Sequence, residues 1–194
     1  MRNSRHKRSY GNIPYRQLFL VFPEGKLTEN LYFRMFSSRK FTVKVFPNNR
    51  KSDPIHILQK ATDYVRKHGR ETGDQVWLVI DRDIWPEEQL TDVCTACREQ
   101  GFVIAVSNPC FEYWLLLHFD SGDGIVDSRG CIRKLKNYLP HFQKGHVEID
   151  RFKPGVQDAI VRAKRKDRPP TPDWPRSPGS TVYRLVEKLK DDPI

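Results

Sequence analysis

Apolar residues in this chain gather in short runs, and stretches of helical periodicity lie between them. Gln17-Leu-Phe-Leu-Val-Phe22 runs straight into Pro23-Glu24-Gly25 and predicts a buried strand closed by a turn. Phe41 to Phe46 is β-branched and aromatic with partial alternation, as in a strand nearer a sheet edge. Val76-Trp-Leu-Val-Ile80 is the clearest buried strand and leads into Asp81-Arg82-Asp83; Phe102 to Val106 predicts a fourth. The intervening segments read as helices. One is capped by Thr28 and carries Leu31, Tyr32 and Met35. A second has Asp53 as N-cap, Pro54 at its first position, Ile57, Ala61, Tyr64 and Val65 on one face, and Gly69 as its stop. A third opens at Pro86 and closes at Gly101, and a strongly apolar fourth, Phe111 to Phe119, has Asn108 as its simplest N-cap. Strands that alternate with helices and are apolar on both faces predict an α/β fold: a mostly parallel four-stranded sheet flanked by helices.

Beyond Phe119 the pattern turns helical. Ile132, Leu135 and Leu139 mark one helix, Val156, Ala159, Ile160 and Ala163 another, and Val182, Leu185, Val186 and Leu189 a last one after five prolines between 169 and 178. The predicted organisation is a basic N-terminal arm over 1–16, an α/β core over 17–120, and a C-terminal helical extension over 121–194 packed on that core.

Charge narrows the partners. The chain has 34 Lys and Arg against 24 Asp and Glu, a net +10, with a pI of about 9.6. Such a surplus favours polyanions, since neutralising phosphates releases condensed counterions. Arg2, Arg5, Lys7, Arg8 and Arg16 in the arm suit phosphates, or equally a solubilising tail. No apolar run is long enough to cross a membrane, and the polar start has no segment of the kind a secretory signal requires. Cys94 and Cys97 share the apolar stripe of Leu90 and Val93, so they pack as small hydrophobes rather than as half of a zinc site. Free cysteines are expected in a reducing compartment, most simply the cytoplasm.

In open parallel sheets ligands bind at the carboxyl ends of the strands. Three acids lie there: Glu24 after the first strand, and Asp81 and Asp83 after the third. Two aspartates separated by one residue can share a hard cation, for which carboxylate oxygens are preferred ligands. Asp81 capping a turn, with Asp83 solvated, is the bland alternative. A haloacid-dehalogenase phosphatase also uses Asp-x-Asp, but after its first strand, where this chain has Glu-Gly. Glu29 opens the first helix, where a negative charge suits the helix dipole. Glu112 sits among Phe111, Tyr113, Trp114 and three leucines, and a carboxylate there needs a metal, a cation or several donors. Glu29, Asn108 and Glu112 are therefore possible support residues; Lys26 and Arg82 are candidate phosphate contacts. Neither a nucleophile elbow nor a Walker phosphate loop is present, and His118 at the end of an apolar helix suits a structural role better than a base.

The segments Glu24-Gly25-x-x-Thr28-Glu29-x-x-Tyr32-Phe33, Asp81-x-Asp83, and Ser107-Asn-Pro-Cys-Phe-Glu-Tyr-Trp-Leu-Leu-Leu-His-Phe119 together resemble RloB-like proteins. The Pro178-x-Ser180-Thr181-Val182 region resembles their C-terminal end, so the likeness runs from about Gln17 to Leu189. The resemblance implies a Toprim-like fold in which Glu24, Asp81 and Asp83 bind Mg²⁺ (or Mn²⁺). It also implies a magnesium-dependent nuclease acting on DNA or RNA in prokaryotic anti-phage defence, beside restriction genes or with an ABC-type ATPase partner. Phe22-Pro23 departs from the small residue expected before Glu-Gly. The alternative is a non-catalytic adaptor of the same fold that binds nucleic acid or an ATPase; a strand-passing enzyme with a covalent tyrosine needs domains this chain is too short to contain.

Overall fold

The structure, a computed structural model, describes residues 16–36, 38–48, 53–82 and 85–190. The arm cations Arg2, Arg5, Lys7 and Arg8, and the proposed ligand Asp83, lie outside the described residues.

Four strands form the predicted parallel sheet: β1 (Gln17–Pro23), β2 (Phe41–Val45), β3 (Gln75–Asp81) and β4 (Val103–Asn108). A fifth, β5 (Gly179–Ser180), pairs antiparallel with the end of β4, giving the order β2-β1-β3-β4-β5. The sheet is thus five-stranded rather than four-stranded. Two residues directly after Pro178 carry no hydrophobic period, so β5 leaves no trace in the pattern. Backbone pairing holds it to β4, reinforced by Thr181, whose Oγ1 accepts the buried Val106 N–H at 2.8 Å.

Alternation along the strands sends side chains to both faces. Leu20, Phe22, Leu78, Ile80, Ile104 and Val106 pack under α2 (Pro54–His68) and α3 (Glu87–Glu99), and Cys94 and Cys97 are buried there as free thiols. Phe19, Val21, Trp77, Val79 and Ala105 pack on the other face under α1 (Thr28–Phe33), α4 (Phe111–Leu116), α5 (Ser128–Leu135), α6 (Val156–Lys166) and α7 (Tyr183–Leu189). The helical extension therefore completes one of the two covering layers, and through β5 it also joins the sheet.

Several local signals act as expected. The Asp53 side chain accepts the His56 N–H at 2.9 Å, and Gly69, with φ +71, stops α2. Two caps differ. Leu27 holds the N-cap position of α1, and the Thr28 hydroxyl instead accepts the Gly145 N–H at 3.1 Å from a loop of the extension. Asn108 is still a strand residue, paired with Gly179, so Cys110 becomes the N-cap of α4. No helix among the described residues is long and apolar enough to cross a membrane.

Candidate functional site

The strand order fixes where chemistry can collect. After β1 the chain crosses to β2 on one side; β3 and β4 then build out on the other side of β1, so the direction of winding reverses between β1 and β3. At such a switch point the loops diverge and leave a crevice at the carboxyl edge. Glu24 and Asp81 stand on its two lips.

Pro23 shapes the first lip. The Val21 carbonyl accepts Phe46 N–H on the β2 side, but Pro23 has no N–H to continue that ladder, and the registered pairs with β2 end at Val21. On the β3 side pairing persists, because Glu24 N–H donates to the Val79 carbonyl at 2.8 Å. The proline thus frees the strand end from β2 while Glu24 stays anchored to β3. The Glu24 carboxylate crosses the crevice: Oε2 accepts the Asp81 backbone N–H at 3.0 Å and Oε1 the Trp85 indole N–H at 3.1 Å. The two predicted acids are therefore neighbours, joined through backbone.

Behind them lie two buried carboxylates. Glu29, in the first turn of α1, packs directly over Gly25, where any Cβ would collide with both of its carboxylate oxygens. A side chain at position 25 therefore fits only if the Glu29 carboxylate moves. Glu112, in the first turn of α4, is 2% exposed; its Oε1 meets Lys144 Nζ at 3.2 Å, and its Oε2 has no hydrogen-bond partner. Lys144 belongs to the loop Gln143–His146, which is seated on the start of α1 by the Gly145–Thr28 bond and by Leu27 packed against Gly145.

The electrostatics follow from the crowding. Burial, with added repulsion from Glu112 and Glu24, pushes the Glu29 carboxyl up to about 7, although its own backbone N–H and Lys144 pull the other way. Burial, then Glu29, Cys110, Glu112 and Glu24, holds Asp81 well above the ordinary carboxylate range. For Lys144 burial disfavours the charge, yet Glu112, Asp81 and Cys110 outweigh it and the ammonium is held above its usual value.

Of the predicted support residues, Glu29 and Glu112 join this cluster. Asn108 does not: its Nδ2 donates to the Pro175 carbonyl at 2.9 Å and ties β4 to the segment before β5. Lys26 is exposed at the rim. Arg82 donates to the Trp85 carbonyl at 2.5 Å, stands 3.6 Å from Glu87, and lines a cavity of about 300 Å³ with Asn108, Ser128 and Arg176. His118 hydrogen bonds with Tyr32 Oη at 3.1 Å inside the core, and burial takes its pKa down to about 4. Sequence reasoning missed Lys144 and Trp85. That Glu112 needs a cation was legible; which cation was not, because Lys144 sits in a loop without a motif 32 positions away (144 − 112).

The donor set suits a hard divalent cation. It consists of carboxylates, one buried oxygen lacks a partner, and burial, with repulsion added, raises two of the carboxyls. Among the described residues, however, no three His, Cys, Asp or Glu side chains stand in metal-ligating geometry. The chemistry fits while the side chains are not preassembled around an ion.

A family model described as RloB-like protein matches residues 19–189, nearly the whole chain. No curated protein and no solved structure matches it.

Proposed function

The chain belongs to the RloB-like protein family, and on that premise we propose that it is a Mg²⁺- or Mn²⁺-dependent phosphodiesterase of the Toprim type that hydrolyses DNA or RNA. The observation that carries this reading is the meeting of Glu24 and Asp81 across the β1–β3 switch point, with buried Glu29 and Glu112 behind them. Carboxyls crowded this closely are costly to ionise in a fold, and cation binding would offset that cost. The net charge of +10 supports a polyanionic substrate.

Glu24, Asp81 and Asp83 would hold the cation, with Glu29 and Glu112 adding charge to the same crevice. A bound cation supplies charge neutralisation at the scissile phosphate and eases deprotonation of the attacking water. Glu24, fixed by Asp81 N–H and Trp85, orients the edge of the site and is placed to exchange a proton with water or leaving oxygen. Lys26 and Arg82 at the rim contact flanking phosphates. The family resemblance supports a setting in prokaryotic anti-phage defence with an ABC-type ATPase as partner, and four free cysteines suit a reducing cytoplasm.

The test is Mg²⁺- or Mn²⁺-dependent cleavage of plasmid DNA and total RNA by wild type and Asp81→Asn, alone and with any ATPase encoded beside it. Cleavage by wild type and not by Asp81→Asn is expected, with the variant at least as stable to heat because one repelling charge is gone. Equal cleavage by both, or unfolding of Asp81→Asn, overturns the assignment.

The second reading, a non-catalytic adaptor, is favoured by one observation: among the described residues the acids are not gathered in ligating geometry. An adaptor without a metal site gains no thermal stability from Mg²⁺, whereas a metal-binding enzyme must gain it by mass action.

A further inference from the structure

Glu112 presents an unusual combination. It is 2% exposed, one oxygen meets an ammonium group, and the other, Oε2, is buried without any partner. A carboxylate in that state loses hydration at both oxygens and regains a partner at one, so the pocket retains the capacity to bind a cation more fully than Lys144 does. Glu29 lies beside it: it follows Thr28, whose hydroxyl seats the Lys144 loop through Gly145, and its carboxylate reaches over Gly25, next to the Glu24 that accepts the Asp81 N–H. The charges of Glu112 and Lys144 are felt there. Carboxylates from α1, β3 and α4 are thus near neighbours, and among the described residues Lys144 is the ammonium that meets Glu112.

That ammonium is held by its charged neighbours yet stays open to solvent. The Lys144 side chain is 60% exposed while its Glu112 partner is 3% exposed, so the lysine reaches in from solvent at the tip of a loop. The loop is held from beneath by Gly145, through Thr28 Oγ1 and Leu27, so the backbone stays seated whether or not the side chain points inward. A four-carbon stem with rotatable torsions can leave the pocket without disturbing those contacts.

We propose that Glu29, Asp81 and Glu112 form a divalent-cation pocket that Lys144 fills as an internal counter-ion, and that a cation binds there only by displacing the Lys144 ammonium. The proposal rests on the metal-dependent reading above and adds a position to it, on the Glu112 side of Asp81. It also accounts for carboxylates that, among the described residues, are clustered but not gathered in ligating geometry, with a lysine on one of them. A displaced Lys144 stays tethered at the rim, where its charge faces an incoming phosphate.

The experiment is calorimetric titration of the metal-free full chain with Mn²⁺ alone and Mg²⁺ alone, paired with the metal-induced rise in melting temperature. The variants are Lys144→Met, Lys144→Arg, Glu112→Gln, Lys144→Met/Glu112→Gln and Asp81→Asn. If Lys144 occupies the pocket in about nine molecules of ten, Lys144→Met tightens Mn²⁺ binding about tenfold, because the competent fraction rises to one. Lys144→Arg retains the competing charge and binds no more tightly than wild type; Glu112→Gln abolishes the gain in the double variant. An Mn²⁺ affinity in Lys144→Met equal to or weaker than wild type, with Asp81→Asn impaired, overturns the counter-ion role and leaves the metal-dependent reading standing. No binding of either ion to any variant overturns both. Should Lys144→Met fold poorly without metal, the comparison of Lys144→Arg and Glu112→Gln with wild type still decides: Glu112→Gln binding as tightly as wild type removes Glu112 from the pocket.

Discussion

Replacing Glu29 by Gln should stabilise the metal-free protein at alkaline pH and leave it unchanged in acid. The carboxyl is 6% exposed and its pKa lies at about 7 against an ordinary 4.5. Each tenfold change in proton affinity is about 1.4 kcal/mol, so the interval from 4.5 to about 7 corresponds to roughly 3 kcal/mol. Because the folded-state value is raised, the folded chain holds its proton more tightly than the unfolded chain. Below pH 4.5 both states are protonated and Glu29 costs nothing by ionising. Between 4.5 and about 7 the unfolded chain gives up its proton first, and stability falls; above 7 the full penalty is present. Wild type alone does not isolate this, because Asp81 runs the same way and His118 the other. Burial lowers the His118 pKa from 6.5 to about 4, so its contribution to stability rises with pH across that interval and largely cancels Glu29 between 4.5 and 6.5. The informative quantity is the difference between Glu29→Gln and wild type, from urea unfolding followed by tryptophan fluorescence in EDTA at pH 4.5 to 8. It should be near zero at pH 4.5 and grow to about 3 kcal/mol in favour of the variant at pH 8. A difference that does not vary with pH, or a variant less stable than wild type at pH 8, refutes the claim that the folded state holds Glu29 against its ionisation.

Two further perturbations probe the contacts that position the site. Gly25→Ala places a methyl group against both Glu29 oxygens and should cost about 1–3 kcal/mol, with Glu29→Ala relieving the loss in the double variant. A Gly25→Ala melting curve superimposable on wild type removes that contact from the account. Thr181→Val leaves the buried Val106 N–H without its 2.8 Å partner and should lower stability in urea by about 1–3 kcal/mol; an unchanged midpoint means that β5 holds without the hydroxyl.

Most of the fold was legible because its elements obey strong local rules. Val76 to Ile80 and Phe102 to Val106 are apolar on both faces, which only a covered parallel sheet explains, and Asp53-Pro54 with Gly69 brackets α2 by cap chemistry alone. What escaped was set by tertiary contacts. β5 is two residues long and is held by pairing with β4 and by the contact of Thr181 with Val106, 75 positions apart. Thr28 has the composition of an N-cap, but its hydroxyl was claimed by Gly145. At the site, the sequence put Glu24 and Asp81 at the carboxyl ends of strands, while their meeting depends on β1 pairing with β3, which the sheet order shows. The need of Glu112 for a cation followed from its apolar surroundings. Lys144 did not follow from anything local, because a lysine in a Gln-Lys-Gly-His turn looks like any solvated cation until the loop is seen on α1.

Local rules also explain how the fold tolerates the acidic crevice. α1 and α4 each offer one carboxylate to the site from the first turn and bury aromatic residues beyond it: Glu29 precedes Tyr32 and Phe33, and Glu112 stands between Phe111 and Tyr113–Trp114. These rings interlock, with Tyr32 lying 5.6 Å from Phe111, 6.3 Å from Trp114 and 5.5 Å from His118. Each such ring contributes roughly 1.5–3 kcal/mol by burial, so two or three of them offset a carboxyl held about 3 kcal/mol from its preferred state. The acids and their support are therefore one unit. An isosteric Gln at Glu29 retains the packing and removes the charge, so it should yield a more stable protein with a weaker hold on cations, the trade expected where a site is strained for use. Loss of ring packing, as in Phe111→Ala, should instead destabilise at every pH, because it removes the support and leaves the charge in place.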